Sequence, residues 1–162
     1  MSEEMTIVRE PVGWVPFGLP ESEGVFVKIY RVDEAAGRAV LKARFEPGAS
    51  APRHYHFCRA VAYTLSGHWE YDEGDFRSGD VAVEGVGNNH QPSSNEGTEM
   101  MLVFDTDNGL LLDNYLSDGS VIRIGMSLLK AMLGKTAEQL QAFDPMPHIS
   151  FFANAEAAEA AR

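Results

Sequence analysis

The sequence is poor in cysteine and in basic residues, and it has no long apolar run. Of its 162 residues only Cys58 is a cysteine, so no disulfide can form within the chain. Lys and Arg number 13 against 24 Asp and Glu, which gives a formal net charge of −11. Nucleic acids and anionic membrane surfaces both require a basic face, so the charge argues against either partner. We therefore expect a soluble, cytoplasmic protein.

Short apolar runs that end at turn residues fill most of the first 125 residues. Each is rich in Val, Ile, Phe, Tyr or Leu and is bounded by Gly, Asp-Gly, Asn-Gly or Pro-Gly, as β-strands are. The runs cover residues 24–32, 38–48, 60–67, 68–74, 80–87, 99–109, 110–119 and 120–125. Hairpin turns are predicted at 107–109 and 117–119. Many short strands with no helical pattern between them indicate an all-β sandwich or barrel.

The pattern becomes helical after Gly125. Residues 126–133 carry apolar side chains at helical spacing, and Gly134 can cap their end. Residues 136–143 begin with a capping-box pattern, and residues 154–162 are rich in Ala and Glu. We expect one domain, a β-barrel over 1–125, with a helical extension over 126–162 that packs on the barrel or on a partner subunit.

Three histidines have a spacing that suits a metal ion. His54 and His56 lie one residue apart, and on a β-strand they point to the same face. His90 follows a glycine-rich turn and is the best candidate for a third ligand from another strand. His68 and His148 are interpreted as surface or packed histidines instead.

The spacing of these histidines resembles the two cupin motifs. In the first motif, Gly48, His54, His56 and Gly67 are in register, and Ala60 stands at the position of the motif glutamate. In the second motif, Gly79, Gly87 and His90 are in register, and Gly85 and Ser94 replace the motif proline and asparagine. The resemblance implies a single-domain cupin, a double-stranded β-helix or jelly-roll barrel, with short C-terminal helices.

A closer resemblance is to the small cupins around acetylacetone-cleaving dioxygenase and 2,4'-dihydroxyacetophenone dioxygenase. The similar segments are 14–17, 45–56, 67–76 and 110–125. This resemblance implies a non-haem Fe(II) dioxygenase that uses O2 to cleave a carbon–carbon bond in a small β-diketone or hydroxy-keto substrate. It also implies His54, His56 and His90 as metal ligands and a homodimer. Glu84 stands where those enzymes have an acidic residue near the ligands, and its catalytic role would be to take a substrate proton or to orient a ligand histidine. The alternative is a solvated acid near a turn. Zn2+, Ni2+ and Mn2+ are the alternative metals, since imidazole ligands suit several divalent ions.

The alanine at position 60 changes the charge of such a site. Three neutral histidines leave a divalent ion its full double charge, which a coordinating carboxylate would have reduced. The retained charge favours an anionic ligand such as an enolate. It also leaves coordination positions open, as catalytic sites require.

Aromatic side chains on the predicted strands are candidates for the wall of a substrate pocket. They are Tyr63, Trp69, Tyr71 and Phe104. Their alternative role is ordinary core packing.

Four further residues could lie near the site, but each has a simpler interpretation. Glu73 is interpreted as part of a solvated hairpin turn, although it could reach the metal if its strand face pointed inward. Arg44 and Arg59 could bind an acidic substrate but are interpreted as solvated, and Cys58 is interpreted as inert packing.

Two other functions use the same residues. The related sensor domain of ChrR-type anti-sigma factors suggests a zinc-binding ligand sensor without turnover. A metal-dependent lyase or isomerase that needs no oxygen is the other.

Overall fold

The computed structural model describes residues 5–162 and consists mostly of antiparallel strands. The first strands are β1 (Val15–Pro16), β2 (Val25–Asp33), β3 (Arg38–Phe45), β4 (Ala49–Ser50), β5 (Arg53–His56), β6 (Arg59–Tyr71) and β7 (Gly74–Arg77). They are followed by β8 (Val81–Glu84), β9 (Asn89–His90), β10 (Ser93–Ser94), β11 (Thr98–Asp105), β12 (Leu110–Tyr115), β13 (Val121–Gly125) and β14 (Ile149–Phe152). The helices are α1 (Met126–Met132), α2 (Ala137–Gln141), a 3₁₀ helix (Met146–His148) and α3 (Ala155–Ala160). None of the helices in residues 5–162 is long and apolar enough to cross a membrane.

Two curled antiparallel sheets enclose the interior. One has nine strands, in the order β1-β2-β3-β11-β6-β10-β4 with β7 and β8 also paired to β6. The other has five, in the order β14-β13-β12-β5-β9. Alternate residues of β2 and β3 are buried, as period-2 patterning requires for strands with one face on a core. The predicted all-β cupin fold is confirmed.

The strand β6 differs from the sequence prediction, which ended one strand at Gly67 and began another at His68. Gly67 has φ of +77° and lies inside a single thirteen-residue strand. A Cβ at Gly67 would lie 2.0 Å from the carbonyl oxygen of Gly97, so only glycine fits this close approach. The pairing with β11 shifts register between Glu99 and Met100, beside this glycine. The shift leaves Leu65 without a partner on β11, so the bulge lies two residues before Gly67, which is paired with Thr98 and does not end the strand.

One of the two predicted hairpin turns is wrong. Residues 117–119 do connect the paired strands β12 and β13. Residues 107–109 instead connect β11 of the first sheet to β12 of the second. The Asn108 side chain accepts a hydrogen bond from the Leu110 amide at 3.0 Å, which stabilises this change of direction.

The segment after β13 contains the predicted helices and one strand that the sequence did not indicate. Met126, Leu128, Leu129 and Met132 of α1 are buried in the larger apolar cluster of the core. Thr136 and Gln139 form the predicted capping box of α2, and Asn154 caps α3. β14 pairs with β13 at the edge of the second sheet. Its four residues are too few to show a reliable period in the sequence.

Arg123 connects α3 to the second sheet. Its guanidinium binds both carboxylate oxygens of Asp113, at 2.7 and 2.9 Å. It also donates to the carbonyl oxygens of Ala158 and Ala161 in the last turn of α3. Asp113 is fully buried and Arg123 is 6% exposed, so water cannot replace either partner.

Replacing Arg123 by Met should destabilise the protein strongly. The substitution leaves the Asp113 carboxylate buried without its main partner, and removing one partner of a buried pair costs about 3–5 kcal/mol. Arg38→Met is the matched control, because Arg38 pairs with Asp105 at the surface with a side chain 57% exposed. The control should change the free energy of unfolding by less than about 1 kcal/mol. Urea denaturation measures both, and equal effects would contradict this interpretation.

Candidate metal centre

Strand pairing brings the three predicted histidines together. His54 of β5 lies directly opposite His90 of β9, and His56 lies two residues along β5 on the same face. Two backbone hydrogen bonds hold the turn before β9. The Gly87 amide donates to the carbonyl oxygen of His56, and the His56 amide donates to the carbonyl oxygen of Asn88. All three imidazoles are buried. The site is therefore built from two segments that are distant in the chain but adjacent in the second sheet.

The histidine nitrogens converge at the spacing of a metal site. Nε2 of His90 lies 2.9 Å from Nε2 of His54 and 3.2 Å from Nε2 of His56. One nitrogen from each residue lies within 4.8 Å of the other two. Nitrogens that each lie about 2.1 Å from a common ion are separated by about 3 Å when the ligand angles approach a right angle. The donor set therefore fits a single divalent ion.

The protonation state of the histidines also suits a metal. Burial lowers the pKa of His54 well below its ordinary value, that of His56 to about 3 and that of His90 to about 4. All three are therefore neutral near pH 7, as metal ligands must be. Nδ1 of His54 lies 2.9 Å from the carbonyl oxygen of Pro52 and donates to it, which leaves the Nε2 lone pair facing the cluster. Lone pairs crowded at this distance require a cation or a shared proton between them.

Glu84 lies beside the cluster without a hydrogen bond to it. Its Cα is paired with that of Ala60, so the carboxyl group of β8 lies across from the position where the cupin motif has its glutamate. The carboxylate oxygens are 3.6 Å from Nε2 of His56 and 3.8 Å from Nδ1 of His90. That Nδ1 atom is buried and has no hydrogen-bond partner among the described residues. Burial raises the pKa of Glu84 to about 7.

A small apolar cavity opens beside the histidines. It has a volume of about 110 Å³, and both sheets and Leu129 of α1 contribute to its wall. Trp69 and Phe104 line it as the sequence suggested. Tyr71, predicted with them, is not part of the cavity wall, although its ring lies 4.3 Å from that of His90. An engineered apolar cavity of roughly 150 Å³ holds benzene, so this cavity suits a ligand of about that size or smaller.

Tyr63 does not belong to this cavity. It alternates with the buried residues Ala62 and Thr64 on β6, so its side chain points away from the histidines. It is 44% exposed. The expectation that Tyr63 contributes to the pocket wall is therefore wrong, because it depended on residue type without the strand register.

The other titratable candidates lie outside the cluster. Glu73 is exposed in the turn between β6 and β7, as the preferred interpretation had it. His68 pairs with Asp75 at 2.9 Å, and Nδ1 of His148 lies 3.0 Å from the Ser127 hydroxyl. Arg59 forms an ion pair with Asp107 at the surface. None of these four residues reaches the cavity.

Cys58 and Arg44 are not part of the cavity wall. Cys58 is fully buried, and burial raises the pKa of its thiol to about 12, so it stays protonated and unreactive. The Arg44 guanidinium packs over the rings of Trp14 and Phe26 instead of facing the cavity.

Sequence reasoning missed Asn114. It is 3% exposed, lies opposite His54 on β12 and lines the cavity. The sequence did contain one indication, an amide side chain within a mostly apolar strand segment. It could not show that this amide lies opposite His54, because the strand pairing is set by the tertiary structure.

The fold and the histidine cluster together define a cupin. The sequence matches the ChrR Cupin-like domain family over residues 2–107, which is more than half of the chain. The protein belongs to that family. No curated protein matches the sequence significantly.

Solved structures share the fold at low sequence identity. An acetylacetone dioxygenase from Acinetobacter johnsonii is 17% identical, with a TM-score of 0.68 over 81% of this chain and 91% of that one. A cupin-like protein of unknown function from Ralstonia eutropha JMP134 is 24% identical, with a TM-score of 0.61 over 81% and 83%. A putative acetylacetone dioxygenase from Methylibium petroleiphilum PM1 is 21% identical, with a TM-score of 0.61 over 76% and 93%. At these identities the likeness extends to the fold and not to the activity.

The histidine cluster leads to a prediction about metal content. His90→Ala should weaken metal binding by more than about 100-fold, because even residues that only support metal ligands contribute 10- to 100-fold. The variant should remain folded, since the apolar core does not depend on the metal. Elemental analysis after equilibrium dialysis and circular dichroism measure the two properties.

His68→Ala is the control, because His68 lies outside the cluster. It should retain metal at the wild-type level. Equal metal content in wild type and His90→Ala would show that the three imidazoles do not share an ion.

Proposed function

We propose that the protein is a metal-dependent dioxygenase that cleaves a carbon–carbon bond in a small β-diketone or hydroxy-keto compound. The observation that carries the proposal is the convergence of three buried, neutral imidazoles beside a small apolar cavity, with no carboxylate of residues 5–162 at bonding distance. The fold shared with an acetylacetone dioxygenase supports it. His54, His56 and His90 would hold the ion.

Fe(II) is the metal proposed for this chemistry, and Zn2+, Ni2+ and Mn2+ are alternatives that also suit imidazole ligands. When bound, Fe(II) supplies the reactivity toward O2 that an organic side chain lacks. The protein contributes the position and the surroundings of the ion. Its apolar cavity excludes water and limits the substrate to a small molecule.

Glu84 is proposed as the base that prepares the substrate. Its pKa of about 7 leaves a substantial fraction ionised near neutral pH, while the carboxyl group stays close to the cluster. A β-diketone carries an acidic C–H between its two carbonyl groups. Transfer of that proton to a carboxylate oxygen of Glu84 leaves the electron pair on the substrate as an enolate. An enolate is the anionic ligand that an ion held by three neutral histidines favours.

A ligand-binding role without turnover is the second candidate. The match to the ChrR Cupin-like domain family favours it. The same histidines would then hold Zn2+, and the cavity would bind a small molecule whose arrival is signalled to a partner. Oxygen consumption distinguishes this function from the first.

The dioxygenase proposal predicts oxygen uptake with diketones. Protein loaded with Fe(II) under anaerobic conditions should consume one O2 for each acetylacetone cleaved when air is admitted. An oxygen electrode and product analysis by mass spectrometry measure the two amounts. Metal-free protein and His90→Ala are the controls.

Absence of uptake by the iron-loaded protein across a panel of β-diketones and hydroxyacetophenones would exclude this dioxygenase function. Substrate loss at the same rate without oxygen would instead indicate a lyase or an isomerase.

The charge argument predicts the effect of Ala60→Glu. This substitution places a second carboxylate opposite Glu84, on the inward face of β6. The variant should retain metal but bind the acetylacetone enolate about tenfold more weakly or worse, because unit charges about 4 Å apart interact by several kcal/mol in a partly buried site. Calorimetric titration of the metal-loaded protein measures this affinity.

Ala60→Gln is the matched control, since it has the same size without the charge. A weaker affinity in the Glu variant than in the Gln variant isolates the charge from the added volume. Tighter enolate binding in Ala60→Glu would contradict the argument.

A further inference from the structure

Asn114 occupies a position next to the histidine cluster in the second sheet. His90, His54 and Asn114 lie opposite one another on the adjacent strands β9, β5 and β12. Side chains directly opposite one another across antiparallel strands share a face, with Cβ atoms about 4.5–5.5 Å apart. The neighbouring row on the same face pairs His56 with Leu112. An amide therefore adjoins one histidine of the cluster, and an alkyl side chain adjoins another.

The Asn114 amide is buried but has no hydrogen-bond partner in the described part of the chain. The residue is 3% exposed and belongs to the cavity wall. The nitrogen and oxygen atoms of the amide are not fully enclosed by protein, so the amide keeps contact with the cavity space. A buried amide without a partner costs stability, about 1–3 kcal/mol in typical proteins. A polar group that is retained at this cost and directed into a cavity is suited to binding a ligand.

We propose that Asn114 is a ligand-orienting residue whose Nδ2 donates a hydrogen bond to a ketone or enolate oxygen of the bound substrate. This inference rests on the proposed function for the class of ligand. An enolate oxygen has more than one lone pair, so it can accept from Asn114 while it also faces the histidines. The amide carries no net charge and therefore does not weaken the preference of the site for an anion.

The arrangement also restricts the substrate class. The walls near Asn114 are alkyl and aromatic, including Leu112, Ile124 and Phe104. A ligand that satisfies both ends has oxygens at one end, toward His54 and Asn114, and a short hydrocarbon group at the other. Small β-diketones and hydroxy-ketones have this form, whereas sugars and dicarboxylates carry polar groups at both ends.

The test compares Asn114→Leu with the wild type, because leucine has nearly the shape of asparagine without its polar atoms. Both proteins are loaded with Zn2+, which does not turn over the probe, and acetylacetone is titrated into them by calorimetry. Metal content should be equal in the two proteins. The variant should bind acetylacetone roughly 10- to 100-fold more weakly, the range expected for a hydrogen bond to a charged group. Asn95→Leu is the matched control, because Asn95 is exposed and lies outside the cavity, and it should change the affinity by less than about threefold.

Thermal unfolding of the metal-free proteins separates ligand binding from a structural role. Asn114→Leu removes a buried polar group without a protein partner, so its Tm should stay at the wild-type value or rise by about 2–6 °C. A fall of more than about 4 °C would show that Asn114 supports the fold, and it would overturn the inference.

The remaining outcomes distinguish this inference from the proposed function. Equal acetylacetone affinity in wild type and Asn114→Leu would overturn the role of Asn114, even if the iron-loaded enzyme consumes oxygen. Weaker binding in the variant supports that role, even if the iron-loaded wild type shows no oxygen uptake and the dioxygenase proposal fails. No binding of acetylacetone by the zinc-loaded wild type would overturn the ligand class and the inference together.

Discussion

The crowding of three neutral imidazoles in a buried site is the constraint on which the rest of the candidate site depends. Nε2 of His90 lies 2.9 and 3.2 Å from the two other ring nitrogens, and burial holds all three pKa values below neutrality. Neutral nitrogens this close avoid lone-pair repulsion only when one ring donates its N–H to another or when a cation lies among them. β5 is paired with β12 at all four of its residues, and β9 is paired with β5 at both of its residues, so strand pairing keeps the three rings together.

Position 60 holds alanine in place of the motif glutamate, and the acid of this site, Glu84, lies on the neighbouring strand instead. The different position keeps its carboxyl group away from direct contact with the histidine nitrogens. Ala60 and Glu84 are Cα partners, so the acid stays in the same cross-strand pair. Its oxygens remain 3.6 and 3.8 Å from the nearest imidazole nitrogens, beyond hydrogen-bonding distance. Burial raises the pKa of Glu84 to about 7, which suits an acid that takes up a proton near neutral pH, whereas an acid bonded to an ion would stay ionised. The same pair of positions thus accounts for both the open coordination and the proposed base.

The sequence predicted much of the fold because its signals are local. Alternating burial, glycine turns and helix caps each involve residues a few positions apart, and the capping box at Thr136 and the Asn154 cap appear as predicted. The errors arose where a local signal had two structural meanings. Gly67 lies inside β6, two residues after a bulge, and the turn at 107–109 joins two sheets instead of two paired strands. Tyr63 was assigned to the pocket by residue type, although its alternation with Ala62 places it outside.

By itself, the sequence determined that His54 and His56 share a face, because one strand period relates them. It also determined that the chain forms short strands, since turn residues interrupt the apolar runs. Only the tertiary structure decided that His90 and Asn114 lie on either side of His54 and that Glu84 lies opposite Ala60. These relations depend on cross-strand register, which results from burying the inward faces of all the strands together. No short segment contains that information, because shifting one strand by a single residue would turn all its side chains to the opposite face.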